Sequence, residues 1–334
     1  MTKVLYAVSD PDGTSGGNPT RTVNYDLDAT GNRTNVLDNG TATSYSTNNM
    51  NQYTGVGSNV LTYYRNANLK TFNGWTYSYD AENRLVKADS GSTIVSFAYD
   101  PNNRCVKRIG NGAGIFFYYD VWTLIEERNY SDVEMNRYIH GDETDEILLK
   151  VSPKKYVYYH QDAIQSVVNL TDTAGNVQEK YTYDVFGTPE IKNESGSTVT
   201  NSGFNNRFLF TGREFIKELA LYDYRNRIYS PYLGRFLQPD PLGFNSGDNN
   251  LYRYVGNNPI KWTDPTGTSP VAVGVGVVAV GTLLYCIYLE QTQNCPKICG
   301  AGKVKKAKHQ FLGLKGKGYE GGIPCGWECE CSCK

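Results

Sequence analysis

A tyrosine-aspartate phrase returns along this chain at a nearly fixed spacing. Tyr79-Asp80-Ala81-Glu82-Asn83-Arg84 is followed by Tyr99-Asp100-Pro101-Asn102-Asn103-Arg104, and Tyr119-Asp120 opens another copy. The period is about twenty residues, the length of one supersecondary unit repeated along a chain. Looser copies begin at Asn24-Tyr25-Asp26 and Leu61-Thr62-Tyr63. Within a unit, Phe97 and Tyr99 alternate with smaller residues, Cys105 and Val106 resume the apolar pattern, and Asp100-Pro101-Asn102-Asn103 supplies side chains that cap their own turn. Each unit therefore reads as a β-hairpin. A lone hairpin is marginal in water, so neighbours must pair edge to edge into a continuous sheet. The expectation is an all-β body over residues 20–260, its hairpins paired in sequence order. Period-two aromatics belong first to the packed face of such a sheet. Stacking of Trp75, Trp122 and exposed tyrosines on a carbohydrate is the alternative.

The bulk numbers agree with hairpins and remove other classes. Tyr at 27 and Gly at 34 of 334 residues favour pleated surfaces and tight turns, and 39% hydrophobic residues suffice for a core. A formal net charge of -1 argues against nucleic-acid binding by the body as a whole, because phosphate neutralisation needs an excess of Lys and Arg. His140 and His160 have no second histidine at metal-ligand spacing and are expected to pack against the sheet. No phosphate loop, Ser-His-Asp series or zinc-protease signature is present, so no cofactor and no metal is expected in the body. Met1-Thr2-Lys3-Val4-Leu5-Tyr6 has no apolar core of useful length, so it does not read as a signal peptide. Repeat sequence already under way at Asn24 reads as part of something longer.

Residues 213–267 are denser in fixed-looking phrases than anything before them. They include Leu221-Tyr222-Asp223-Tyr224-Arg225-Asn226-Arg227-Ile228-Tyr229, Arg235-Phe236-Leu237-Gln238-Pro239-Asp240-Pro241 and Asp264-Pro265-Thr266-Gly267. Together with Tyr158-Tyr159-His160-Gln161-Asp162, Tyr183-Asp184-Val185-Phe186-Gly187 and Arg207-Phe208-Leu209-Phe210-Thr211-Gly212-Arg213-Glu214, they make residues 20–268 resemble the Rhs, or YD-repeat, family. Gln165 stands where that family usually has glycine. The resemblance implies a β-cage of spiralling hairpins closed by a core plug around the chain's own C-terminal segment. It divides the chain into a repeat region, 1–200, a core, 201–268, and a variable tail, 269–334.

In family members that process themselves the core is an intramolecular aspartyl protease, so the resemblance assigns Asp240 and Asp264 as its carboxylates. It places the cut between Thr268 and Ser269, with Thr268 where cleaving relatives usually carry leucine. Two neighbouring carboxylates resist joint ionisation, so one holds a proton while the other activates water. A bond in the same chain has a high effective concentration, which suits a single turnover. Arg235 is expected to pair with one aspartate or to lie exposed. The plain alternative is turn chemistry: Asp caps a turn, Pro fixes φ and Gly supplies a positive φ. Asp248 reads as such a turn residue.

The tail changes composition. Residues 270–289 carry no charge and, as a helix, would match a bilayer core or form a sticky segment shielded inside the shell. Beyond lie a basic run, residues 303–309, and two cysteine groups, Cys295/Cys299 and Cys325/Cys329/Cys331/Cys333, which read as disulfides ahead of thiolate metal ligands. In the family this segment is often a toxin, so the resemblance implies a secreted or cell-surface protein whose partners are its own C-terminal segment, a secretion machinery or an immunity protein. Two other classes stay open: a surface adhesive that binds carbohydrate, and an ordinary hydrolase using acidic pairs.

Overall fold

The computed structural model describes residues 2–8, 19–110, 112–153, 155–268, 270–272, 304–309 and 327–331. The chain forms two compact units, Met1–Gly274 and Val275–Lys334. Among the described residues there are only strands, turns and three short 3-10 segments. Within each of the two sheets of the repeat region, every strand pairs antiparallel with its sequence neighbours, and the ladder is interrupted once, between Asn59–Val60 and Thr62–Tyr63. Six strands run from Thr2–Val8 to Asn59–Val60, and fifteen from Thr62–Tyr63 to Thr198–Val199. The all-β expectation and the sequential pairing both hold.

The recurring phrase is a turn that the backbone can be seen to require. Asp80 Oδ1 accepts the backbone N–H groups of Glu82 and Arg84, each at 3.0 Å, while Asn83 takes φ +63°. Asp100 repeats this with Asn102, Arg104 and Asn103. The aspartate thus replaces missing ladder bonds at the hairpin tip, and Asn tolerates the left-handed position better than most residues. The arginine and the next tyrosine then lock one unit to the next. Arg84 lies over the Tyr99 ring, and Tyr99 Oη donates to the Leu85 carbonyl at 2.9 Å. Arg104 lies over Tyr119, whose hydroxyl donates to Cys105 O. A register shift beside many of these turns, as at Ala98/Tyr99 and Tyr118/Tyr119, adds local twist and bends the sheet.

Gln165 occupies the left-handed position of the equivalent Asp162 turn, at φ +65°. Its carbonyl accepts the Gln161 amide, a bond that any residue at 165 preserves. Gln165→Gly should therefore remove backbone strain and stabilise the body by about 0.5–1 kcal/mol, net of glycine's greater freedom in the unfolded chain. A thermal or urea midpoint that falls on this substitution would show that the Gln165 side chain contributes more than its backbone loses.

The segment from Phe208 onward packs against the repeat strands in one shared hydrophobic core. A four-stranded sheet, Glu214–Ile216, Leu221–Asp223, Ile228–Ser230 and Arg235–Phe236, carries fully buried Tyr222, Tyr224, Tyr229, Phe236 and, from a later segment, Tyr254. Their ring centroids lie 4.5–6.4 Å apart, and mostly edge-on, as ring quadrupoles favour. Two of the hydroxyls find partners outside the cluster, Tyr222 donating to Gly187 O and Tyr229 to Phe186 O, both at 2.8 Å, while those of Tyr224 and Tyr254 bond to each other at 3.1 Å. Tyr252 donates to Ala67 O, Gln238 to Asn83 O and Thr211 N to Ser166 Oγ. Tips of hairpins from one end of the repeat region to the other thus converge on the same core.

On the sheet side, buried charges join repeats to core. Glu127, 2% exposed, accepts Arg207, Tyr138 and Asn136, while Arg207 and Arg108 also meet Glu214. Burial alone would raise the Glu127 carboxyl; Arg207 and the two neutral donors outweigh it and hold the group below its ordinary range. Lys150, beside them, has no carboxylate of its own and donates Nζ to the Phe204 carbonyl at the wall of a cavity of about 650 Å³. Burial pushes its ammonium down to about 8. Between pH 8 and 10 the unfolded chain then binds more protons than the folded one, so this group makes stability rise with pH. Lys150→Met should abolish that rise, which we place at about 2 kcal/mol. Equal pH slopes for wild type and variant in urea titrations from pH 7 to 9.5 would contradict it; the buried tyrosines are common to both proteins.

Candidate functional site

Asp240 follows the last core strand, and Asp264 follows the short strand Trp262–Thr263, which pairs with Val271–Ala272. Both do perform turn chemistry. Asp240 Oδ1 accepts Leu242 N at 2.9 Å, and Asp264 Oδ1 accepts Thr268 N at 3.0 Å. Their second oxygens do something else: Asp240 Oδ2 lies 3.1 Å and Asp264 Oδ2 3.2 Å from the same atom, Nη2 of Arg227. The fold therefore brings the two sequence-identified aspartates together.

The arginine between them is not the one expected. Arg235 is buried, not exposed, and points away: its guanidinium lies over the Tyr53 ring and donates to Asn51 O at 2.7 Å and Asn32 Oδ1 at 2.9 Å. Arg227 sits over Phe236, the residue after Arg235, on the opposite side of that strand. Alternation along a strand sends neighbours to opposite faces, which separates Arg235 from Asp240 despite their closeness in sequence. Arg227 carried no distinguishing sequence signal, since Arg225 in the same phrase looks equivalent. Its cation also changes the electrostatics, because it offsets the repulsion between the carboxylates. Burial raises the Asp240 carboxyl above its ordinary range, Arg227 opposes that, and Asp264 reinforces it.

Thr268 closes the arrangement. A cavity of about 300 Å³ has Asp240, Asp264, Arg227 and Thr268 in its lining, with Asp248, Arg253 and Trp262 among the other residues of its wall. Asp248 accepts Asn250 N and pairs with Arg253, as a turn residue with a salt bridge. Gly267 takes φ +70°, and a Cβ there would stand 2.2 Å from the Tyr224 carbonyl, so only glycine lets this loop lie against the core. Ser269, most of residues 270–289, and Cys295, Cys299, Cys325 and Cys333 lie outside the described residues. The basic run contributes the strand Val304–His309, paired with Trp327–Cys331. Among the described residues no cluster of His, Cys, Asp and Glu suits a metal ion, and no helix is long and apolar enough to cross a membrane. His140 hydrogen-bonds Leu124 O and Glu146 O, and His160 bonds Thr171, both on the sheet.

Comparison with known proteins decides the family. The Teneurin YD-shell family model matches residues 10–260. The chain belongs to the teneurin YD-shell family. This agrees with the Rhs-type repeats and core read from the sequence. Among curated relatives, the tRNA3(Ser)-specific nuclease WapA of Bacillus spizizenii is 31% identical over 257 residues, 73% of this chain and 11% of the relative. Toxin subunit YenC2 of Yersinia entomophaga is 51% identical over 52 residues, 16% of this chain and 5% of that protein. The chain thus spans about a tenth of the length of the WapA proteins it matches. A chain of the Photorhabdus luminescens Tc holotoxin pore structure is similar at 16% identity, covering 77% of this chain and 17% of that one with a TM-score of 0.47.

Proposed function

We propose that this YD shell carries its variable C-terminal segment as an effector and releases it by one intramolecular cut after Thr268. The observation that carries the reading is the meeting of Asp240, Asp264 and Thr268 at one small cavity around Arg227. Asp264, the more buried carboxylate and already bonded to the Thr268 amide, is the base that takes a proton from water. Asp240, raised by burial, supplies a proton to the departing nitrogen of Ser269. The Thr268–Ser269 C–N bond breaks, water adds to the carbonyl carbon, and the products are a Thr268 carboxyl and a Ser269 amine. Arg227, with one nitrogen against both carboxylates, holds the two acids in place. The names of the relatives, a tRNA nuclease and a toxin subunit, support an effector as cargo and a secreted or surface setting. On this reading the partners are the chain's own tail, the machinery that exports it and an immunity protein. Mass spectrometry of freshly purified full chain tests it.

A second reading rests on aromatics that the sheet leaves outside. Tyr118, Trp122, Tyr130, Tyr156 and Tyr158 are each more than a third exposed, whereas Trp75 packs against the core. A carbohydrate-binding surface would use such rings, and glycan-array binding lost on replacing Tyr156 and Tyr158 with serine would favour it.

A further inference from the structure

Three consecutive side chains of the core hold three consecutive carbonyls of the loop ahead of Thr268. Arg225 Nη1 donates to Pro265 O, Asn226 Nδ2 to Thr266 O at 3.0 Å, and Arg227 Nε to Gly267 O. The loop has no slack against this row, because Gly267 lies flush on the backbone at Tyr224 and Arg227. A shift by one residue would break all three bonds and drive a side chain into the Tyr224 carbonyl. Such a row fixes which peptide bond follows the clamp.

Arg225 is in turn held by the repeat sheet. Its side chain is 14% exposed, and burial lowers its pKa from the ordinary arginine value, so a nearby anion stabilises it. That anion is Asp145, 2.6 Å from Arg225 Nη2 and 2.9 Å from Arg213 Nη1. Asp145 lies in the tip joining strands Glu134–His140 and Ile147–Ser152, eighty residues earlier in the chain. The tip is seated on the core itself: a Cβ on Gly212 would come within 2.5 Å of the Asp145 carbonyl, which also accepts Gln161 Nε2 at 2.9 Å. Arg225 is thus anchored at one end by the docked hairpin and grips the loop at the other.

We infer that Arg225 and Asn226 are positioning residues that set the register of the cut, and that Asp145, through Arg225, makes cleavage conditional on docking of the residue 134–152 hairpin. The inference rests on the proposed cleavage reading, and it gives that reading a timing rule. The tail is released only from a molecule whose sheet has closed onto its core at this point. Until then the Arg225 guanidinium lacks the Asp145 carboxylate that orients it, the Pro265 carbonyl is ungripped, and the bond after Thr268 is not presented to the aspartates.

The test uses the full chain with Asp145→Asn, Arg225→Met, Arg225→Lys and Asn226→Ala. Cut fraction against time and cut position are read by intact mass, and rates are normalised to the folded fraction at a temperature where each variant retains its far-ultraviolet spectrum. The expected result is a fall of tenfold or more in cut rate for Asp145→Asn and Arg225→Met, with partial recovery in Arg225→Lys. Asn226→Ala and Arg225→Met should also give cuts at bonds next to Thr268. Wild-type rates and a single cut position in folded Asp145→Asn and Arg225→Met overturn the inference. Should the wild type itself remain intact, the cleavage reading fails separately, and the clamp is judged by an added protease. Faster nicking within residues 264–268 of Asp145→Asn than of wild type supports the clamp; equal nicking overturns it.

Discussion

Arg207→Met should destabilise the body by about 3–5 kcal/mol, the cost of leaving a buried carboxylate without its arginine. Glu127 would remain 2% exposed, hydrogen-bonded to the neutral Tyr138 and Asn136 and with no arginine against it, the Lys150 ammonium acting on it without a direct bond. Glu214 keeps Arg108, so the unpaired charge is localised on Glu127. The deficit should shrink as pH falls. The native carboxyl now sits below its ordinary range, and its stabilising contribution is present above the unfolded pKa and lost as pH drops through the folded one. Without Arg207, burial raises the group, so protonation relieves the variant instead. The double substitution Arg207→Met with Glu127→Gln should recover much of the stability, because an amide needs no counter-ion. Urea unfolding of the four proteins at pH 5 and 7.5 measures the coupling. Additive losses with no pH dependence would mean that the pair is incidental to the joining of repeats and core.

That pair also marks where sequence reading stops. The hairpins were legible because Asp80, Asp100 and their partners act within five residues, and local chemistry repeats visibly. The two candidate aspartates were legible because each sits in an Asp-Pro phrase with its own turn. Arg227 was not, since its contacts with Asp240 and Asp264 span 37 residues or fewer through a strand face that spacing alone does not reveal. Arg235 misled for the same reason: nearness in sequence to Asp240 hid the alternation that sends it to Tyr53. Glu127, Lys150 and Asp145 gave no signal at all. Each looks like an ordinary charged residue near a hairpin, and its partners, Arg207, Phe204 and Arg213, lie more than fifty residues away in sequence.

The second large effect concerns chemistry. Asp240→Asn and Asp264→Asn should each slow the cut after Thr268 by about 10²-fold or more, because an amide of the same shape neither donates a labile acid proton nor accepts one from water. The folds should survive, since both amides can still accept the turn N–H groups of Leu242 and Thr268. The wild-type rate should fall as pH rises through the raised pKa of Asp240, when the proton needed by the leaving nitrogen is gone. The comparison is most direct as the intact mass of freshly purified wild type beside the two variants. The account predicts a wild type in two pieces, ending at Thr268 and beginning at Ser269, with each Asn variant a single chain. A wild type of intact mass, or the same cut in both variants, would contradict it.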